Sequence, residues 1–301
     1  MKSLRHRFLP ALALALLASS AALAQNYTFK VVAQGLHRPT GIAVRGGSKV
    51  YFTEIPTPGV GGGQNAIKEL SLGTGAIRTI HQGEPEPVNI AVDEAGVLYW
   101  VCKSAGVILE QSPDAPASSA VPLLTGLTKP SGIAIDEEGH VYFTQIPTPG
   151  VGGANGGKNS VSVVSVRNHT KVTVLSQGEP EPTDIAASED GELYWTCKTA
   201  GVILTRDEDG KTKLLIGGLN KPVGIALDEE RRLLYWTEVP TPGVSGTNGG
   251  SNKVWAYNLR TKAKFIVHSG DPEPTDIAVA SNGRVYWTCS SAGVIVEARR
   301  N

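Results

Sequence analysis

One stretch is written three times in this chain, and that repetition restricts the fold more than any other feature. The clearest copy runs Lys221-Pro222-Val223-Gly224-Ile225-Ala226-Leu227-Asp228, then Glu229-Glu230-Arg231-Arg232, then Leu233-Leu234-Tyr235-Trp236-Thr237-Glu238-Val239-Pro240-Thr241-Pro242-Gly243-Val244. It reads as a short apolar strand, a polar turn, a second strand carrying two aromatics, and a stiff Pro/Gly loop. Further copies lie at Arg38 to Val60 and Lys129 to Val151. A related unit alternates with them, at Pro87 to Cys102, Pro182 to Cys197 and Pro274 to Cys289. The six Ile-Ala dipeptides, at Ile42, Ile90, Ile133, Ile185, Ile225 and Ile277, are separated by 48, 43, 52, 40 and 52 residues. Units of about 40 to 50 residues with four short strands are the pattern of propeller blades. The reading is therefore all-β: a six-bladed β-propeller built from three two-blade repeats.

The two ends of the pattern complement each other. The sixth unit stops after Val294-Ile295-Val296-Glu297, one strand short. At the other end Thr28 to Leu36 has no blade of its own and reads like the fourth strands at Val121 to Leu127 and Lys213 to Leu219. The N-terminal strand is expected to complete the last blade and close the ring, which removes an open sheet edge. The propeller domain is expected to span residues 25–301. Before it, Lys2, Arg5 and Arg7 form a basic start, Leu9 to Leu17 an apolar stretch, and Ala22-Leu23-Ala24 a small-residue cleavage site. Residues 1–24 read as a signal peptide. The apolar stretch is shorter than the ~20 residues that span a bilayer, so no transmembrane segment is expected in the mature chain. The protein is expected to be exported, periplasmic or secreted.

Charge narrows the partners. The chain has 28 basic and 28 acidic residues and a formal net charge of zero. That argues against nucleic acid or an anionic membrane as a partner held by bulk charge, and leaves a small molecule or a protein.

The units resemble the six-bladed propellers of the NHL, YWTD and SMP-30/gluconolactonase group. Tyr235-Trp236-Thr237-Glu238 differs by one residue from the YWTD signature, and Pro-x-Gly-Ile-Ala followed by an acidic turn matches NHL and YWTD blades. The resemblance covers residues 27 to 301 and speaks for fold; such folds host lactonases, lyases, receptors and scaffolds alike.

In such blades the loops joining the fourth strand to the next blade, and the second strand to the third, share one face. Here they repeat almost letter for letter: Gly83-Glu84-Pro85-Glu86-Pro87, Gly178-Glu179-Pro180-Glu181-Pro182 and Gly270-Asp271-Pro272-Glu273-Pro274, with three Pro-Thr-Pro-Gly-Val loops. Turn formation asks for less than this, so the functional face is placed there, recent duplication being the plain alternative. It carries Glu84, Glu86, Glu179, Glu181, Asp271 and Glu273, read either as solvated loop charge or as a site for a cation or basic ligand. Lys103 and Lys198 share the face with Arg38, Lys129 and Lys221, and are expected to neutralise those carboxylates in surface pairs.

Nearest the axis, the first strand of the short units opens with Asn89, Asp184 and Asp276, where the long units have Gly41, Gly132 and Gly224. The second strand ends, at the expected channel mouth, in Cys102, Cys197 and Cys289, alternating with Glu54, Gln145 and Glu238. The resemblance to lactonases implies a divalent ion in the channel; Asn89, Asp184, Asp276, Glu54 and Glu238 are the residues that could hold it, and oxygen ligands suit Ca2+ or Mg2+. Against this, the positions are threefold-equivalent, and Asn and Asp would equally satisfy inner-strand backbone groups or channel water. The cysteines lie on second strands too far apart for a trithiolate zinc site or disulfides and read as small buried residues. His268 with Glu273 is the candidate acid/base pair for a lyase of the virginiamycin B type, a secondary resemblance. No Gly-x-Ser-x-Gly elbow is present. The function read first is therefore binding of a ligand or partner through the top face and channel mouth. The alternative is a metal-dependent lactonase or a virginiamycin B-type lyase.

Overall fold

The computed structural model describes residues 27–56, 64–116, 119–147, 158–240 and 251–301. The signal segment, and each Pro-Thr-Pro-Gly-Val loop beyond its first proline, lie outside the described residues.

Every described strand belongs to one of six four-stranded antiparallel sheets. The chain enters through β1 (Tyr27–Ala33). Blade 1 is β2 (Pro39–Arg45), β3 (Lys49–Glu54), β4 (Ala66–Ser71) and β5 (Ile77–Gln82). Blade 2 is β6 (Pro87–Val92), β7 (Leu98–Cys102), β8 (Val107–Gln111) and β9 (Val121–Leu124). Blade 3 is β10 (Pro130–Ile135), β11 (His140–Gln145), β12 (Ser160–Ser165) and β13 (Asn168–Gln177). Blade 4 is β14 (Pro182–Ala187), β15 (Leu193–Cys197), β16 (Val202–Arg206) and β17 (Thr212–Ile216). Blade 5 is β18 (Pro222–Asp228), β19 (Leu233–Glu238), β20 (Lys253–Asn258) and β21 (Lys264–Ser269). Blade 6 is β22 (Pro274–Val279), β23 (Val285–Cys289), β24 (Val294–Arg300) and, as its outer strand, β1.

The expected closure is present. β1 pairs antiparallel with β24, Tyr27 opposite Arg300 and Val31 opposite Val296. Aromatic side chains lock it: Tyr27 Oη lies 3.1 Å from Tyr235 Oη in blade 5, and the Phe29 ring centroid lies 4.5 Å from His268 and 6.2 Å from Trp287.

The core is a ring of six apolar clusters, one at each blade-to-blade interface. This explains why the second strand of each blade is a continuous apolar run rather than an alternating one. In β7, Leu98, Trp100 and Cys102 pack toward blade 1 while Tyr99 and Val101 pack toward blade 3. All five are buried. A strand with two buried faces has no polar side to show.

Each inner strand carries a bulge near its start, where the register with the second strand slips, as between Pro39 and Ile42 or Pro182 and Asp184. In five blades a buried threonine of the second strand accepts the N–H freed there. Thr53 accepts Gly41 N at 2.8 Å, Thr144 accepts Gly132 N at 2.8 Å, and Thr237 accepts Gly224 N at 3.0 Å. Thr196 and Thr288 do the same for Asp184 and Asp276. The threonine of the Tyr-Trp-Thr-Glu motif thus has a structural purpose; in blade 2 Val101 stands there.

Deleting residues 25–33 should expose β24 as a bare edge and uncover Tyr235 and Trp287. The expected result is a thermal midpoint lowered by about 10 °C or more, with concentration-dependent aggregation. A truncated chain that melts with the full one would show that closure contributes nothing.

Candidate functional site at the channel mouth

Six charged residues stand where the inner strands begin. In chain order they are Arg38, Glu86, Lys129, Glu181, Lys221 and Glu273, each directly before the proline that opens its strand. Going round the ring, basic and acidic residues alternate. All six have positive φ: 52°, 58°, 48°, 58°, 52° and 57°. This is an unfavourable place for them. A residue before proline is normally extended, and the left-handed region favours glycine or asparagine. The conformation is held by one repeated bond. The carbonyl of each accepts the N–H of the residue after the second strand, from Ile55 to Arg38 at 3.2 Å, Lys103 to Glu86 at 3.0 Å, and Ser290 to Glu273 at 3.0 Å. The three glutamates are half-buried, and Ser104, Thr199 and Ser291 donate hydroxyl bonds to Glu86, Glu181 and Glu273. Arg38, Lys129 and Lys221 are exposed.

The expected lysine–carboxylate surface pairs are not what the structure contains. Arg38, Lys103, Lys129 and Lys198 make no ion pair with another described residue, and Lys221 Nζ donates to the Pro240 carbonyl at 3.3 Å. The first acid of each loop turns inward instead of into solvent. Glu84 lies 2.7 Å from His81 Nε2, whose other ring nitrogen is 3.0 Å from Gln111 Oε1. Glu179 accepts Ser176 Oγ and, at 3.4 Å, Trp195 Nε1. Asp271 lies 2.6 Å from His268 Nδ1. That corrects the acid/base pair drawn from the sequence, because His268 is engaged with Asp271 while Glu273 is held by Ser291.

The cysteines do not line the mouth. Cys102, Cys197 and Cys289 are fully buried between blades and unpaired. Cys102 Sγ donates to Glu84 at 3.3 Å and Cys289 Sγ to Asp271 at 3.8 Å. Burial first, and then the neighbouring carboxylates, push all three thiols well up from their ordinary value. Such thiols are poor nucleophiles and poor metal ligands. Gln145 is also structural: its Oε1 accepts Thr128 N at 2.8 Å, as Glu54 Oε1 accepts His37 N at 3.0 Å.

Below the mouth, Asn89, Asp184 and Asp276 meet across the axis, 8 %, 4 % and 5 % exposed. Asn89 Nδ2 donates to Asp184 Oδ1 at 2.8 Å. Asp184 Oδ2 accepts Ile225 N from blade 5, and Asp276 Oδ2 accepts Ile42 N from blade 1, both at 2.8 Å. Asp276 Oδ1 takes Ile277 N, also at 2.8 Å. The alternating glycines explain how the strands come so close. A methyl group on Gly41, Gly132 or Gly224 would lie 2.7, 2.5 or 2.7 Å from the Cα of Asn89, Asp184 or Asp276 in the next blade. The triad divides the channel. Toward the mouth it floors a cavity of about 110 Å³ lined by Thr40, Ser131, Thr183 and Thr275; on the far side it roofs one of about 210 Å³ with aliphatic walls.

The two carboxyls are strained by this setting. Burial raises Asp184 to about 6. Burial, then the charge of Asp184, raises Asp276 well above the usual carboxylate range. The pair holds a proton that free carboxylates would release.

Asn89, Asp184 and Asp276 could hold a divalent ion only by exchanging these bonds. Glu54 and Glu238 do not join them: Glu54 pairs with Lys68 at 2.6 Å, and Glu238 accepts Trp236 Nε1 at 3.4 Å. Among the described residues no cluster of three His, Cys, Asp or Glu side chains is arranged for a metal. The five-residue set drawn from the sequence is therefore not assembled.

Comparison with known proteins bears on the fold. No protein-family model matches the chain. A low-density lipoprotein receptor-related protein 1 from Pyricularia oryzae is 26% identical over 184 residues, 53% of this chain and 56% of that protein, so the chain spans about half its length. A streptogramin B lyase structure matches 92% of this chain and 98% of its own, with TM-score 0.61 and 18% identity. A gluconolactonase from Xanthomonas campestris matches 94% and 93%, with TM-score 0.67 and 14% identity. A virginiamycin B lyase from Staphylococcus aureus matches 92% and 89%, with TM-score 0.58 and 18% identity. What is shared is the six-bladed propeller. The expected likeness to gluconolactonase and virginiamycin B lyase propellers thus holds at the level of the fold. No described helix is long and apolar enough to cross a membrane.

Two outcomes follow for the axis. Gly132→Ala should cost about 1–3 kcal/mol through overpacking against backbone, whereas Gly73→Ala, with nothing within 4 Å, should leave the melting point within about 1 °C. The second concerns pH. A carboxyl raised in the folded state contributes its full stability below the unfolded value, near 4, and loses it as pH rises through the folded value. Stability, and with it the melting temperature, should therefore fall between about pH 4 and pH 7, by about 3 kcal/mol if Asp184 alone is counted. Asp276→Asn, which copies Asn89, should flatten that fall and exceed the parent at pH 8. An unchanged slope would mean the pair is not the source.

Proposed function

We propose that the protein is an exported propeller that binds a ligand or protein segment carrying both charge signs through its channel mouth. The observation that carries this reading is the ring of Arg38, Glu86, Lys129, Glu181, Lys221 and Glu273. Six long charged side chains occupy left-handed positions that glycine or asparagine would fill with less strain. The repeated backbone bond explains the conformation but not the charges. Strain retained at a mouth, with alternating sign, suits recognition of a mixed-charge partner. The threefold repetition of the charged ring favours binding over catalysis, which draws on one asymmetric constellation. Export rests on the signal-like residues 1–24, with a periplasmic or secreted mature chain.

The test uses the mature chain and a fluorescent peptide of alternating Lys and Glu. The ring is neutralised as E86Q/E181Q/E273Q, which keeps acceptors for Ser104, Thr199 and Ser291. Binding that weakens about tenfold or more in the variant, with an unchanged melting point, supports the reading. No binding by the parent chain, or equal binding by both, overturns it. Turnover of gluconolactone or of a streptogramin B lactone by the parent would replace it with the lactonase or lyase reading.

A further inference from the structure

Beside the mouth, between blades 2 and 3, lies a cavity of about 340 Å³ whose polar lining is Glu86, Lys103, Ser104, Thr128 and Lys129. Its one acid is committed, because Glu86 accepts the Ser104 hydroxyl. Its two ammonium groups are not. Lys103 is half-buried and Lys129 exposed, and neither forms an ion pair with another described residue. Their backbones are nevertheless fixed. Lys103 N donates to Glu86 O at 3.0 Å, and Ile146 N donates to Lys129 O at 3.0 Å, with Lys129 held at φ 48°. The floor is rigid too: Gly106, at φ 66°, lies under the carbonyl of Leu127, which a Cβ would approach to 2.2 Å.

Two anchored stems whose ammonium heads form no ion pair with another described residue, around one tied-back carboxylate, leave the cavity with a net positive lining. Lysine binds oxyanions as a flexible point charge with three donors. We propose that this cavity is an oxyanion subsite of the mouth, taking a carboxylate, phosphate or sulfate group of the bound partner. The inference rests on the mouth being a binding surface and adds the class of group anchored there.

The internal repeat supplies a second copy and a control. Between blades 4 and 5 the frame recurs: Lys198 N donates to Glu181 O at 3.1 Å, Leu219 N to Gly201 O at 2.8 Å, and Thr199 caps Glu181. The cations there are Lys198 and Lys221. Between blades 6 and 1 the frame recurs again, with Ser290 N to Glu273 O at 3.0 Å and Leu36 N to Gly293 O at 2.9 Å. There Ser290 replaces the first lysine and Arg38 is the lone cation. Two of the three equivalent positions should therefore bind an oxyanion well and the third poorly, although their backbone frames match.

The experiment is a titration of the ¹⁵N-labelled mature chain with inorganic phosphate and, separately, with succinate, at low ionic strength so that screening does not mask the effect. Saturable shifts are expected at Ser104, Gly106 and Thr128 and at Thr199, Gly201 and Asn220. Ser291, Gly293 and His37 should respond about tenfold more weakly. K103Q/K129Q should abolish the first set while the second still titrates, which reports an intact fold within the same molecule. A response to phosphate alone, to succinate alone or to both identifies the source of the oxyanion and supports the site. Equal shifts at all three positions, no saturable shift at any, or shifts that survive K103Q/K129Q overturn it. Silent positions in a chain whose mixed-charge peptide binding still depends on the three glutamates would leave the mouth reading standing and remove only the subsite.

Discussion

Each blade is a sheet with two buried faces, and neither is covered until a neighbour stands on that side. No blade can satisfy its tryptophans alone: Trp100 is buried against blade 1, Trp195 against blade 3 and Trp287 against blade 5. The core is thus a closed chain of interfaces, and the ring is stable as a whole or hardly at all. Long-range closure by β1 follows from this constraint. Blade 6 has blade 1 waiting on its far side, and an outer strand borrowed from the N-terminus packs Tyr27 and Phe29 toward blade 5 while Val32 and Ala33 join the seam with blade 1.

At the axis the same packing acts on polar groups. Six inner strands converge, and the space permits a side chain from only every second blade. Glycine in blades 1, 3 and 5 yields to Asn89, Asp184 and Asp276 in blades 2, 4 and 6. Those three side chains satisfy backbone N–H groups of their own and neighbouring strands, which is the role sequence reasoning gave as the alternative to metal binding. The consequence is electrostatic. Two carboxyls are forced together away from water, where at most one carries charge comfortably. The inner strands then leave the axis through six strained positions, and there the chain places its alternating charges. Polar groups inside the channel are consumed by structure; at its mouth Arg38 and Lys129 are exposed and form no ion pair with another described residue.

Much of the site was legible in outline and little of it in detail. The near-identical acidic loops could be placed on one face of the ring, but they could not show that the first acid of each loop turns inward to His81, Trp195 or His268 while the second stays at the mouth. Spacing alone does not carry the direction of a side chain. Arg38, Lys129 and Lys221 were read as partners for those carboxylates; their place in an alternating ring depends on which residues precede the six prolines, a pattern visible in the sequence once the blades are aligned. Cys102, Cys197 and Cys289 were placed at the mouth by their position at strand ends and read as small buried residues; they are buried, and the neighbouring blade keeps them from lining the mouth. The threonines that hold the inner bulges carried a signal in the Tyr-Trp-Thr motif, unreadable until the register slip was seen.

By itself the sequence determined the number of blades, their strand order and the source of the closing strand, because hydrophobic period, turn residues and repeat length are local properties. Its alternation of Gly with Asn or Asp also announced that something repeats at the axis. Tertiary structure alone decided which carboxylates meet, which are buried and which remain free. Those outcomes depend on contacts such as Asn89 with Asp184, 95 residues apart, and Ile42 with Asp276, 234 residues apart. Only closing the ring brings such pairs within hydrogen-bond distance and removes the water between them.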